Sequence, residues 1–280
     1  SNMFSKDGKY RLFTSAKLSS VMGEETVNGH NFGARISKVS GTWRYDIGYW
    51  EESDTYNPND LGFLFNNNER GYSGGISWND FQGSKRFFRR NFQVNWWYTE
   101  LYKPQVYQNT QFGATLGGLH KKQFYTQVRT EINPFGEVNH FESRVFGKEL
   151  HFNESVFFSY FISTDYSKRI ALDVSAWVKN FLNTSQHGSN LYVSPRFRAS
   201  DRLDIILESS VQNLQDDYGY VSVQDDNFSD DIMIGVRDRL IVENVVRSRL
   251  VFTNRMGIDL RLRHYWQQVD YTGFRELIDE

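Results

Sequence analysis

Seven arginines fall on one face of four consecutive strand-like segments in the C-terminal third of the chain: Arg196, Arg198, Arg239, Arg247, Arg249, Arg261 and Arg263. Asp204, Glu208, Glu243 and Asp259 share that face, which leaves an excess of three positive charges. Lining a wet pore, such a wall favours anions, as rings of Arg and Lys do in anion-selective channels. The same residues serve equally to cross-link one another and fill the interior of a closed sheet.

Carboxylates form a second cluster. The segment "NLQDDYGYVSVQDDNFSDD" carries Asp216, Asp217, Asp225, Asp226, Asp230 and Asp231. Crowded carboxylates beside backbone carbonyls suit calcium, yet the EF-hand spacing is absent, so the alternative is a solvated surface loop and no other cofactor is expected. His140 and His151 share a loop with Glu142 and Glu149, a set that could hold a cation but reads more simply as solvated loop. "GYSGG" at 71 to 75 matches the nucleophile-elbow pattern around Ser73. That chemistry needs a strand, a sharp turn and a helix. Here the stretch opens a strand among strands, so it reads as a glycine-lightened strand start, and no catalytic residue is assigned.

Composition narrows the classes. The 280 residues carry a net charge of −2, which offers no basic surface for nucleic acid. With no cysteine there is no disulfide scaffold, thiol nucleophile or thiolate metal site. No apolar run is long enough for a membrane helix, and "SNMFSKDGKY" lacks the pattern of a signal peptide, so an excised piece or a mature form is expected. Aromatic residues reach 16% while only 39% are hydrophobic, a balance that suits a sheet with one wet face.

The elements behind these residues repeat with period two. In "FRRNFQVNWWY", Phe88, Phe92, Val94, Trp96 and Tyr98 oppose Arg89, Asn91, Gln93 and Asn95. In "GIDLRLRHYW", Ile258, Leu260 and Leu262 oppose Arg261 and Arg263, and Tyr265 and Trp266 follow. About thirteen to fourteen strands are expected, with thirteen starts near 9, 32, 44, 71, 86, 110, 124, 155, 168, 190, 203, 239 and 257, and helix confined to loops. Short connections alternate with longer ones, near 21 to 31, 55 to 70, 102 to 109, 133 to 154, 183 to 189 and 214 to 238. Such segregation predicts an all-β, antiparallel up-and-down meander of the transmembrane β-barrel type over a single domain, 1–280. A large soluble barrel or sandwich would alternate in the same way with its apolar face turned inward.

Several longer stretches carry a resemblance: "YNPNDLGFL" (56 to 64), "ESRVFGKEL" (142 to 150), "STDYSKR" (163 to 169), "DIMIGVRDRLIVENV" (231 to 245) and "LRHYWQQVDYTGFREL" (262 to 277). In this order they resemble the uncharacterised β-barrel region of Gram-negative outer-membrane proteins whose N-terminal module is similar to family-9 carbohydrate-binding domains. The resemblance implies the bacterial outer membrane as location and a lipid bilayer as partner. It also implies that the N-terminal module and a last strand are missing here. Bacterial barrels normally close on an even number of strands, which agrees with at least one more after the thirteenth. The expected role is passage or surface handling of a nutrient or envelope glycan, or of a small anionic solute. The alternatives are a periplasmic or cell-surface soluble carbohydrate-binding module, and a glycan-active hydrolase with paired carboxylates.

Overall fold

A computed structural model describes residues 1–59, 66–145, 147–221 and 232–277, and among them all the regular structure is strand, with no helix. The strands are β1 (Asn2–Phe4), β2 (Tyr10–Val21), β3 (Val27–Lys38), β4 (Trp43–Glu52), β5 (Glu69–Asp80), β6 (Phe87–Leu101), β7 (Tyr107–His120), β8 (Tyr125–Asn133), β9 (Glu137–Asn139), β10 (Leu150–Phe152), β11 (Ser155–Ser163), β12 (Ile170–Phe181), β13 (His187–Ser200), β14 (Leu203–Tyr220), β15 (Ile232–Thr253) and β16 (Met256–Leu277). They form one 16-stranded sheet in which sequence neighbours pair, except that β8 is followed by β11 while β9 and β10 branch off to pair each other and β7. The antiparallel meander expected from period two is therefore present. Its strand order starts at β1 and stops at β16, and no pairing among the described residues closes it.

Each of the thirteen expected strands has its counterpart in β2 to β8 and β11 to β16. The connections differ from expectation in one respect. Turns at 39–42, 81–86, 121–124, 164–169, 201–202 and 254–255 are short as anticipated, but 22–26, 102–106 and 182–186 at the opposite end are equally brief. The strands there run on past the apolar pattern, because a ladder is propagated by backbone hydrogen bonds that do not depend on side-chain polarity. Genuinely long connections remain at 53–68, 134–154 and 221–231.

The chain divides into two compact units, one of 1–81, 91–115 and 131–154, the other of 82–90, 116–130 and 155–280. In the first unit the apolar face is the exposed one. Ile36 and Ile47 stand directly opposite each other and are 58% and 59% exposed, and Ile76 is 57% exposed. At the turn end of this face Trp43 pairs with Trp78, and Tyr45 pairs with Ile76. At the other end Phe32, Tyr49, Tyr72, Tyr98 and Tyr107 form a row across β3 to β7, with successive ring centroids 6.4, 5.0, 6.2 and 6.0 Å apart. Beyond the tyrosines the same face turns ionic. His30 lies 3.1 Å from Glu51, Arg70 pairs with Glu100, and the Tyr49 and Tyr98 hydroxyls donate to Glu51 and Glu100.

The opposite face of this unit is polar and in part buried. Arg35 pairs with Asp46 and donates to Ser73 Oγ at 2.7 Å, and both Ser37 and Ser73 are buried. The space for these long side chains comes from glycine. A Cβ on Gly48 would lie 3.0 Å from the Arg35 guanidinium, and one on Gly71 would lie 2.6 Å from the Trp50 indole nitrogen. "GYSGG" is thus a strand segment that gives way to side chains from its neighbour, and Ser73 sits inside β5 with no helix after it.

The second unit repeats the arrangement. Leu191 and Phe197 of β13 are 51% and 47% exposed, and Leu207, Val211, Leu260 and Leu262 on the strands that follow are exposed as well. One polar row crosses this apolar face, where Ser209 and Asn244, then Asn244 and His264, stand directly opposite. Ser209 Oγ donates to Asn244 Oδ1 at 2.7 Å, and Asn244 Nδ2 approaches His264 Nδ1 at 3.4 Å, so the row satisfies itself.

Candidate functional site

The register brings the arginine wall into one place. Arg198 stands opposite Asp204, Asp204 opposite Arg249, and Arg249 opposite Asp259, a rung of alternating charge across β13 to β16. Two positions further along, Arg196 faces Ile206, Ile206 faces Arg247, and Arg247 faces Arg261. Most of the charge is matched locally. Arg249 lies 2.7 Å from Asp259, Arg263 2.7 Å from Glu243 and Arg247 3.1 Å from Glu208. Arg196 instead stacks over the Tyr166 ring at 4.5 Å, and Arg198 donates to the Tyr166 carbonyl at 3.3 Å. Arg261 faces a like charge whose own carboxylate lies on β14, so Arg261, with Arg196, contributes to the unbalanced positive charge.

The wall extends further than period two indicates. A register shift between Leu214 and Asp217 carries Asp217 to the arginine side, where its Oδ2 lies 2.9 Å from Arg237 and 2.8 Å from Arg239. Asp216 takes a left-handed backbone at φ 51, and its N–H donates to Asp238 Oδ1 at 2.9 Å. These two members of the calcium candidate set therefore belong to strand β14, with Asp217 clamped between guanidinium groups. Asp225, Asp226, Asp230 and Asp231 lie outside the described residues. Among the described residues no group of His, Cys, Asp and Glu has the geometry to hold a metal ion.

A concave site lies in the first unit at the loop end of β5 to β7. The segment after β8 folds back so that β9 pairs with β7 at Asn109 and Glu137. Local capping holds it there. Asn139 Oδ1 accepts from the N–H groups of Phe141 and Glu142, both at 2.9 Å, and the buried Ser143 hydroxyl donates to the carbonyls of Lys148 and Val145 at 2.6 and 3.1 Å. The Tyr107 hydroxyl donates to the Gly136 carbonyl at 3.0 Å. His140 lies between the Tyr107 carbonyl, 2.9 Å from Nε2, and Glu149, 3.0 Å from Nδ1; Glu149 also meets His151 at 2.8 Å. The histidines thus brace the loop through one shared carboxylate.

Under this loop is a cleft of about 530 Å³, walled by Glu69, Gln108 and Asn109 from the sheet and by Glu137, Asn139 and Phe141 from the folded loop. A second cleft of about 430 Å³ adjoins it through Asn66, Phe141 and Arg144. Both volumes are those of small-molecule sites. Glu69 opens β5, beyond the tyrosine row, and stands directly opposite Glu52. Burial pushes its carboxyl above the usual range, donation from Gln108 draws it down, and Glu52 pushes it up again. Glu52 in turn accepts from Asn31 Nδ2 at 2.5 Å. Nothing in the local sequence marks this site, because it depends on one non-local pairing between β7 and β9.

Comparison with curated proteins finds no match. One family model, described as a domain of unknown function (DUF5916), matches residues 1–280. With its strands, its charged wall and its loop-covered cleft in view, this chain belongs to the DUF5916 family.

Proposed function

We propose that the chain is the membrane-spanning sheet of an outer-membrane β-barrel that handles passage or surface capture of a small hydrophilic solute, a nutrient or an envelope glycan. One observation carries the reading: the sheet exposes its aliphatic face, with Ile36, Ile47, Leu191 and Phe197 about half accessible or more, while Ser37, Ser73, Gln108 and Ser194 are buried. A water-soluble fold distributes these classes the other way. Exposed apolar surface on this scale needs a partner, and a bilayer covers it continuously. Aromatic groups at both ends of the aliphatic band, with an ionic row beyond the tyrosines, match the girdles of outer-membrane barrels. Closure requires that the free edges of β1 and β16 be paired, with each other or with further strands.

In a closed barrel the arginine wall lines the interior. Its paired rungs act as cross-links, and Arg261 supplies part of the unbalanced charge. The test is folding of the whole chain with and without detergent or lipid, followed by planar-bilayer conductance. A monodisperse folded species in plain buffer overturns the reading. If conductance is seen, Arg261→Ser shifts selectivity away from anions, and Arg249→Ser, which removes the same single charge while freeing Asp259, shifts it in the same direction.

A further inference from the structure

The cleft over β5 to β7 carries an unmet hydrogen-bonding demand. Gln108 is only 7% exposed, and its Nε2 donates to Glu69 Oε1 at 3.1 Å. A carboxylate only accepts, so this contact fixes which end of the amide is which. The Gln108 Oε1 that remains is buried and has no hydrogen-bond partner among the described residues. A buried acceptor left in that state is costly, and in a residue that walls a cleft it marks a place for a donor that arrives from outside.

The surrounding groups say what else that ligand must offer. Asn109 already spends its Oδ1 on Asn133 Nδ2 at 2.8 Å, and Asn139 spends its Oδ1 on two backbone N–H groups. What each amide retains is its NH₂ donor. Glu69 and Glu137 bring acceptors, and Phe141 adds an apolar surface. An ammonium ion would satisfy the carboxylates and leave the donors unmet. A phosphate would do the reverse and meet two carboxylates. A hydroxyl group both donates and accepts, so an array of hydroxyls on a ring with apolar C–H faces matches the whole set.

We propose that this cleft binds a hydroxyl-rich solute of sugar size, with Gln108, Glu69 and Glu137 accepting from its hydroxyls, Asn109 and Asn139 donating to them, and Phe141 against its C–H face. The proposal deepens the reading above by naming the solute class, and it rests on that reading only for the setting, since the cleft binds whether or not the sheet crosses a membrane.

The experiment is isothermal titration of the whole chain, folded in a zwitterionic detergent so that no sugar headgroup competes, with glucose, maltose and sorbitol. Putrescine and inorganic phosphate are the counter-probes. The expected result is saturable binding of at least one of the three polyols, weakened about tenfold or more by Gln108→Leu and by Glu137→Gln. Glu137→Gln lies on the short strand β9 and preserves shape, so it stands as the test if Gln108→Leu does not fold. The proposal is overturned by preferential binding of putrescine or phosphate, by no heat from any of the three polyols up to about 10 mM, or by unchanged affinity in the folded variants. Folding in plain buffer would overturn the barrel reading alone, and the same titration would then be run without detergent.

Discussion

Replacing Ile36 by Arg separates a lipid-facing sheet from a water-facing one. Ile36 stands directly opposite Leu12 on one side and Ile47 on the other, between the tryptophan end and the tyrosine row, and is 58% exposed. Full burial of such a side chain contributes about 1.5–3 kcal/mol. With somewhat under half of that realised, the packing lost in Ile36→Arg is on the order of 1 kcal/mol. If water covers the face, the arginine adds nothing to that cost. If hydrocarbon covers it, an arginine near mid-depth costs about 2–4 kcal/mol. Leu18 supplies the control, since it stands opposite His30, beyond the tyrosine row, and is 86% exposed. Leu18→Arg then costs about 0–1 kcal/mol in either setting. Reversible guanidinium unfolding from phosphatidylcholine vesicles, followed by the fluorescence of the seven tryptophans, gives both values. A gap of about 2 kcal/mol between the variants is expected, roughly a thirtyfold difference in the unfolding constant. Costs that agree within about 0.5 kcal/mol would refute a bilayer on this face.

Two further outcomes follow from local geometry. A Cβ on Gly29 would lie 2.4 Å from the Thr55 carbonyl oxygen and from the Tyr56 backbone, where residues 53–56 are tied to β3 by Ser53 N–H to His30 O at 2.9 Å and Thr55 Oγ1 to Asn28 O at 2.7 Å. Gly29→Ala should displace that segment at a cost of about 1–3 kcal/mol and open it to limited proteolysis, with unchanged cleavage telling against the contact. In the turn between β11 and β12, hydrogen bonding by Ser167 holds the Asp165 carboxyl below its ordinary value. A carboxyl depressed in the folded state stabilises above its unfolded value of about 3.9, and that contribution fades as pH falls through the folded value. Asp165→Asn should therefore flatten the acid limb of a stability-versus-pH curve, measured by denaturant midpoint at successive pH values.

Period two made the long strands legible because each must keep one face apolar for about ten residues, and a helix-forming spacing never competes with it. The short strands β1, β9 and β10 were not legible, since three residues carry no period. Nor was the reach of β14 and β15 into the acidic segment, where the ladder continues although the side chains have become polar. The arginine wall was visible wherever alternation holds without interruption. Arg237 and Asp217 were missed because 214 to 238 reads as a connection, and for Asp217 the bulge after Leu214 also changes which face it shares, an inserted residue that leaves no trace in composition. The cleft depends on Asn109 meeting Glu137 across a folded loop, a contact that no local pattern encodes. Glu69 and Gln108 become notable only once burial and hydrogen-bond partners are known.

The tyrosine row also has a direction. Tyr49 stands opposite Ala34, whereas its ring neighbour on β3 is Phe32, and Tyr49 then stands directly opposite Tyr72. From β3 to β5 the row thus slips by two residues over two strand steps, an average of one residue per strand. One residue is a rise of about 3.4 Å and one strand step is about 4.8 Å across, so the row cuts the hydrogen-bonding direction at about 35°. If these rings sit at the level of the lipid headgroups, the strands lean by that angle from the membrane normal, within the tilt of about 35–45° of closed outer-membrane barrels. Polarised infrared spectra of oriented bilayers read that lean directly.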